Sequence, residues 1–524
     1  MIKNLFNNNK KEYFQSSKNN CYCFIVSRGR YLNDICNIFS FIAANKVLKV
    51  NPVVISDPNQ KKYDEIFDYF GFKNLKYIFT YKKIFNEPKI FFLSLIQSIY
   101  CIFFTFFKGF EWLINKFAIK NIKVGDLIYD THIRENHGYI DPKIDLNFLN
   151  KVFKCCFRTI KLLKLTNTYK PKIIFIGTDG YAYNSGIMMR IGIALNIKTI
   201  ETQQNFVLEV PKFKAEFGSD HLNYVYKKNK FQISKKKIIQ HYRLKIKQKK
   251  KVIGYNSTDT FFLANKHKDR NKNEVLKRLG LKENDRYDKI ILIASHAFSD
   301  APHVTGYQIF KDYYQHILET LKFIKSNKFK KKILWILKEH PASFVYHEIP
   351  IFKKLSSQFI SKNIILSPKD INTYDLMKIC DNVITTKGTI ALEFAAEGKT
   401  SILAGASSFS HLGFTIDPKN KSDYFKKLLN IDKLKRLSQL NIFKAKKAMY
   451  FLDKSLHKNH LKKSEILIFS DIRDVYLKNL LKRKVKGNQI KFIKKALQNL
   501  RQKKIYNDPY FKSLEDFFSR KKIN

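Results

Sequence analysis

"NVITTKGTIALEFAAEGKTSILAGA", residues 382–406, reads as strand, turn, helix and strand. Val383 and Ile384 end an apolar run, the chain breaks at Gly388, and a helix carrying Glu393 and Glu397 four apart begins at once. "TSILAGA" (400–406) then returns to a strand. Upstream the alternation continues. "YDKIILIASH" (287–296) is a strand, "TGYQIFKDYYQHILETLKFIKSN" (305–327) a long helix, and "KKILWILKEHP" (331–341) the next strand. "KNIILSP" (362–368) is another strand and "YDLMKICD" a short helix. Strands and helices in this order predict a five-strand parallel sheet with helices on both faces.

The first half repeats the pattern. "CYCFIVS" (21–27) runs into the polar turn "RGRYLND", an amphipathic stretch covers 35–47, and "NPVVISD" (51–57) is a second strand. "KPKIIFIGTDG" (170–180), the helix "NSGIMMRIGIALN" and "IKTIETQ" (197–203) follow. No repeat of solenoid spacing is present. The expected fold is α/β and GT-B-like: two Rossmann-like doubly wound parallel-sheet domains facing a cleft. The N-terminal one takes 1–210, a basic irregular linker 211–285, and the C-terminal one 286–420. A helical basic extension occupies 421–524.

The chain has 524 residues, 44% of them apolar, which supports two or three packed cores and excludes general disorder. Its formal net charge is +54. The lysines are spread over nearly every segment rather than gathered in one stripe, so nucleic acid is not an expected partner. Anionic partners remain: phosphorylated donors, acidic glycans or a membrane face. The seven cysteines lack metal-ligand spacing and read as reduced thiols. "MIKNLFNNNKKEYF" shows no apolar segment after its charges, so no secretory signal is expected. "IFFLSLIQSIYCIFFTFF" (90–107), between Lys89 and Lys108, is nearly long enough to span a bilayer but carries Ser94, Gln97, Ser98 and Thr105. With "KGFEWLINKF" behind it, the stretch 90–118 reads as an interfacial helix giving peripheral attachment.

Three loops after strands of the second half carry the chemistry. "SHAFSDAPH" (295–303) offers Ser295, His296, Asp300 and His303. "KEHP" (338–341) offers Lys338, His340 and a direction-fixing Pro341. In "TTKGT", Gly388 admits close backbone approach, Thr386 and Thr389 supply hydroxyls, Lys387 a cation, and a helix start supplies N–H groups. Glu393 lies one turn into that helix. The same hydroxyls suit a plain helix cap. His340 can bond a phosphate oxygen or act as a general acid, and His296 or Asp300 can act as a base. In the first half, Asp179 of "GTDGYAY" is a further candidate base, or a turn aspartate. No metal site is expected.

At these residues the sequence resembles the bacterial capsule polysaccharide biosynthesis proteins, a GT-B group that includes the Kdo transferases of capsule assembly. "HAFSDAPH", "LKEHP" and "TTKGTIALEFAAEGKTSILAG" carry the resemblance, with "VGDLIYDTHIR" (124–134) and "MMRIGIALNIK" weaker parts of it. It covers roughly residues 120–420. In related CMP-sugar transferases a His-Pro pair and a Ser/Thr turn contact the nucleotide phosphate. Carried over, those roles fall on His340, Pro341, Thr386, Gly388 and Thr389. The turn here is Thr-Lys-Gly-Thr rather than Ser-Ser, and the acidic-acidic-Gly base motif is absent. The resemblance implies a metal-independent glycosyltransferase without a cofactor, using a nucleotide-sugar donor, CMP before UDP or GDP. Its acceptor would be a glycan or lipid-linked glycan, and its setting cytoplasmic, on the inner membrane face beside capsule-assembly proteins. A sugar-nucleotide 2-epimerase and a polyol-phosphate transferase share the architecture and remain alternatives, with a basic nucleic-acid-binding protein behind them.

Overall fold

The computed structural model describes residues 20–27, 31–57, 66–68, 70–79, 81–135, 142–177, 181–202, 207–210, 233–249, 269–282, 285–303, 307–341, 343, 346–454 and 505–520. The chain forms two units. One holds 1–132, 143–215 and 456–524, the other 133–142 and 216–455.

In the first unit, apolar β-branched runs form β1 (Tyr22–Val26), β2 (Asn51–Ser56), β3 (Leu75–Tyr77), β4 (Ile173–Ile176), β5 (Lys198–Thr202) and β6 (Val207–Glu209). Their spatial order is β3-β2-β1-β4-β5-β6. All neighbours are parallel except β5 and β6. The connecting helices include α1 (Tyr31–Leu48), α2 (Pro88–Lys116), α3 (Leu146–Tyr169) and α4 (Asn184–Ala194). The core on one face draws Phe39 and Phe41 of α1, Ile25, Phe175 and Ile200 of the sheet, and Tyr510, Phe511, Leu514 and Phe518 from helix Pro509–Arg520.

The second unit has β7 (Lys289–Ala294), β8 (Ile333–Lys338), β9 (Ile364–Leu366), β10 (Asn382–Thr385), β11 (Ser401–Leu403) and β12 (Thr415–Ile416). The order is β9-β8-β7-β10-β11-β12, parallel throughout. Helices α5 (Tyr313–Ser326), α6 (Ile349–Phe359), α7 (Thr373–Ile379) and α8 (Ile390–Ala396) lie between strands, and α9 (Gln439–Lys454) follows. β8 is buried at every position, and Trp335 on it joins α5 and α6 in one core. Truncating Trp335 to Ala would cost about 3–5 kcal/mol.

Both halves are therefore doubly wound α/β sheets. Four details differ from the sequence reading. Among the described residues the two main sheets have six strands each; β3, β6 and β12, two or three residues long, are too short to show a pattern. Helix α5 starts at Tyr313, not 305, because the Asp312 carboxylate accepts the Gln315 N–H at 2.8 Å and caps it there. Residues 308 and 405 instead form a bridge, and a Cβ on Gly405 would lie 2.9 Å from the Gln308 side chain. The stretch 421–524 is not one extension. The apolar face of α9 packs on α8, whereas Pro509–Arg520 packs in the first unit's core. From residue 216 on, the lysine-rich segment 211–285 belongs to the second unit. Its helix Lys235–Lys249 places Tyr242 against Ala445 and Ala448 of α9.

Candidate functional site

Ligands of doubly wound sheets bind beyond the carboxyl ends of the strands, where the strand order reverses. In the second unit that point lies between β7 and β10, with β8 adjoining β7. The three loops picked out from the sequence leave these three strands.

Ser295 is the first residue beyond β7 and is buried. Its backbone N–H and its hydroxyl both donate to the Lys338 carbonyl, at 3.1 and 2.9 Å. The same hydroxyl accepts the His340 backbone N–H at 2.9 Å. One side chain thus stitches the end of β7 to the turn leaving β8. The His296 ring stacks on Tyr313, with centroids 4.2 Å apart, and on the His340 ring at 5.2 Å and 8°. Lys387, in the turn after β10, donates from Nζ to the Pro302 carbonyl at 2.9 Å and lies 5.6 Å from the Tyr313 ring centre. Two of the loops meet at the Tyr313 ring, and the third joins them through the His296–His340 stack.

The electrostatics follow from that packing. Burial disfavours an imidazolium and pulls His296 down to about 4, with the Lys387 ammonium adding to the effect. Burial likewise pulls His340 down to about 3. His296 and Lys338 reinforce the shift and Asp300 opposes it. Both rings are neutral at pH 7, and Nδ1 of His296 is buried without a hydrogen-bond partner. A neutral imidazole can still donate one N–H to an anion. Acting as a general acid at pH 7 would require an anion beside it to raise its pKa again.

The loop 295–303 is held from below by Glu348, which is fully buried. Its carboxylate accepts the backbone N–H groups of Phe298 and Ser299 at 2.8 and 2.7 Å and the Ser299 hydroxyl at 2.7 Å. Burial pushes Glu348 up to about 7 although these three donors pull the other way. Asp300 accepts the Tyr346 hydroxyl at 2.6 Å.

Other candidate residues are committed to the framework. Lys338 is buried and donates from Nζ to the Ile371 carbonyl at 2.6 Å. Burial lowers it to about 8 against the pull of Asp370, Glu339 and Asp375. His303 donates from Nε2 to the Lys311 carbonyl at 2.8 Å. Thr386 is buried with its hydroxyl 2.9 Å from Nδ1 of His316. The other nitrogen of that ring lies 3.0 Å from the Tyr424 hydroxyl, which is 2.8 Å from Thr320. Glu393 is buried within α8. Gly388 and Thr389 lead into α8, and a Cβ on Gly388 would press on the Thr385 hydroxyl at 3.0 Å. Thr389 is exposed and its hydroxyl makes no capping bond, so the plain helix-cap reading does not hold at this turn. Pro341 is half-buried in the turn after β8. Asp179 lies outside the described residues.

Sequence reasoning missed Glu348, Tyr313 and the His316–Tyr424 pair. Glu348 precedes the helix-starting Pro350 and looks like a first-turn acid; only the fold shows that it reaches back to residues 298 and 299. Among the described residues, no group of three or more His, Cys, Asp or Glu could hold a metal ion.

Residues 170–455 match the family model described as "Capsule polysaccharide biosynthesis protein". The fold also aligns with the beta Kdo 2,4 transferase of Thermosulfurimonas dismutans KpsC, at 11% identity over 53% of this chain and 79% of that one, TM-score 0.34. The beta Kdo 2,7 transferase of the same KpsC aligns at 14% identity over 55% and 79%, TM-score 0.31. A UDP-GlcNAc 2-epimerase from Neisseria meningitidis aligns at 11% identity over 84% and 100%, TM-score 0.25. No curated protein matches the sequence. With the family model spanning more than half of its length, this chain belongs to the capsule polysaccharide biosynthesis protein family.

Proposed function

We propose that the chain is a glycosyltransferase, moving a sugar from a nucleotide-activated donor onto a growing capsule or other surface polysaccharide. Family membership supports the pathway, and the observation that carries the site is the meeting of the β7 and β8 loops at the Ser295–His340 bond and the His296–His340 stack, joined by the β10 loop through Lys387 and the Pro302 carbonyl. A CMP-linked donor is preferred over a UDP- or GDP-linked one, from the His-Pro turn of the resemblance.

The donor phosphate would lie against the His340 side chain and the Gly388–Thr389 turn. His340 would give it a neutral N–H bond, Lys387 would offset its charge, and Thr389 would offer a free-facing hydroxyl. As the bond from the anomeric carbon to the phosphate oxygen breaks, the nucleotide leaves with that electron pair. An acceptor hydroxyl oxygen forms the new bond to the same carbon, and its proton passes to a carboxylate base, for which Asp300 and Asp179 are the candidates. No metal is required if the cation and N–H groups neutralise the leaving phosphate. Of the three reactions the architecture admits, only this one gives a new glycosidic bond, so product analysis tells them apart.

A thermal-shift screen against CMP, UDP, GDP and CDP tests the reading. One nucleotide should stabilise the wild type and not His340→Ala. If none of the four stabilises it, the site is misassigned.

A further inference from the structure

Helix α2 turns its faces the unusual way round. Its buried positions are mostly small or polar: Ser94, Ser98, Cys101 and Thr105, with Ile90, Leu113 and Ile114 towards the ends. The exposed positions are large and apolar. Phe92, Ile96, Ile99, Phe103 and Phe106 recur at three- and four-residue spacing, and each is more than half exposed. Leu93, Leu95, Tyr100 and Phe107 widen the stripe. Only 28% of the helix's most apolar window is buried, and by length and composition α2 could cross a membrane.

The inward face is internally satisfied. The hydroxyls of Ser94, Ser98 and Thr105 each donate to the carbonyl four residues earlier at 2.6 Å. These small side chains let α2 pack along α3, and the two run antiparallel. Glu87 at the start of α2 pairs with Lys161 near the end of α3 at 2.6 Å, and Phe110 packs on Phe148 near its start.

This pairing argues against a span. Crossing a bilayer would carry α3 with it, including Lys151, Lys154, Arg158, Lys161 and Lys164, and charges in hydrocarbon are costly. A helix lying in the plane of the surface needs no such burial. Charge selects the occupant. No charged residue interrupts 90–107, exposed Lys89 and Lys108 border it, and Lys116 and Lys120 follow, with Glu111 the lone carboxylate within α2. Gly109, at φ +75°, ends the long limb and folds the rest back, so that Trp112 stacks on Phe104 at 5.1 Å beside Lys108. Aromatic rings and lysines at the border of an apolar band match an interface between headgroups and acyl chains. The formal charge of +54 favours anionic headgroups.

We propose that the outer face of α2 docks in the plane of a membrane containing anionic phospholipid. The proposal does not depend on the transferase reading. Its test is flotation of the full chain with phosphatidylcholine vesicles, with and without phosphatidylglycerol. The chain should float with the anionic vesicles, more weakly at high salt. The double variant I99Q/F106Q, altered only at exposed positions, should partition on the order of 100-fold less well while keeping its circular dichroism and thermal midpoint. The chain has two tryptophans, and Trp335 is buried in the core, so a blue shift of emission on vesicle addition reports Trp112. Absence from the floating fraction with both vesicle types would overturn the proposal. So would a dimer in solution that I99Q/F106Q dissociates, since the face would then belong to a second copy.

Discussion

The two sheets have the same strand order, yet their carboxyl edges are braced differently. Ser27 follows β1 as Ser295 follows β7. The Ser27 hydroxyl donates to Asp34 of the next helix, α1, at 3.0 Å, whereas that of Ser295 ties its loop to the one leaving the neighbouring strand. Asp57, just beyond β2, pairs with Arg158 of α3 at 3.1 Å. The matching loop beyond β8 brings His340 onto His296. Among the described residues, Ser27 and Asp57 fasten the first edge to helices, whereas the second edge is fastened loop to loop. The same strand order thus carries two different kinds of bracing, and the loop-to-loop kind coincides with the proposed donor site.

The strongest way to break the comparison is to remove the imidazole that joins the second sheet's loops. His340→Ala should lower nucleotide release with donor and acceptor present by roughly 1000-fold, with circular dichroism unchanged, because a donor to the leaving phosphate is lost. An active variant would return His340 to a merely structural role.

Glu348 comes next. Glu348→Ala leaves two backbone N–H groups and a hydroxyl buried without their acceptor, and should cost about 2–3 kcal/mol in urea unfolding. Its titration also gives a signed prediction. Between 6.5 and about 4 or 3, the unfolded chain takes protons that native His296 and His340 refuse, so their contribution to stability falls as pH falls. Glu348 acts oppositely. From 4.5 to about 7 the native state keeps a proton that the unfolded chain has lost, so its contribution falls as pH rises. The two trends partly cancel between pH 4.5 and 6.5, and Glu348→Gln should steepen the rise of stability with pH across that window. An unchanged slope would mean that Glu348 does not titrate there.

Much of the second sheet was legible in the sequence because β7, β8 and β10 are buried apolar runs ending in polar turns. The short edge strands were not, since two or three half-buried residues have no period to read. Within the proposed site, the sequence marked which loops come together better than which of their atoms are left to face a ligand. Lys338 and Thr386 stand in suggestive positions but bond inward, to Ile371 and His316, and only packing decides that direction. The outward apolar face of α2 was half legible: composition showed an apolar helix, while its orientation depends on α3, far along the chain.

Thr386 allows a smaller test of that distinction. Thr386→Val keeps the shape but removes the hydroxyl bonded to His316, which should cost about 1–2 kcal/mol of stability. If the hydroxyl is framework, nucleotide affinity by calorimetry should change less than about 2-fold. A larger loss would make Thr386 a donor ligand after all.

The weakest effect should come from the first sheet's own serine. Ser27→Ala removes one buried bond to Asp34, worth about 1 kcal/mol, and should leave nucleotide affinity untouched. Its positional twin, Ser295→Ala, loses two bonds of that kind, and both span two loops of the proposed donor site. The affinity should therefore fall about 10-fold as the His340 turn loses its register. The pair separates position in the fold from connection across it. Equal effects on affinity would show that any serine at that topological point matters, whereas the expected inequality ties nucleotide binding to the loop-to-loop fastening of the second sheet.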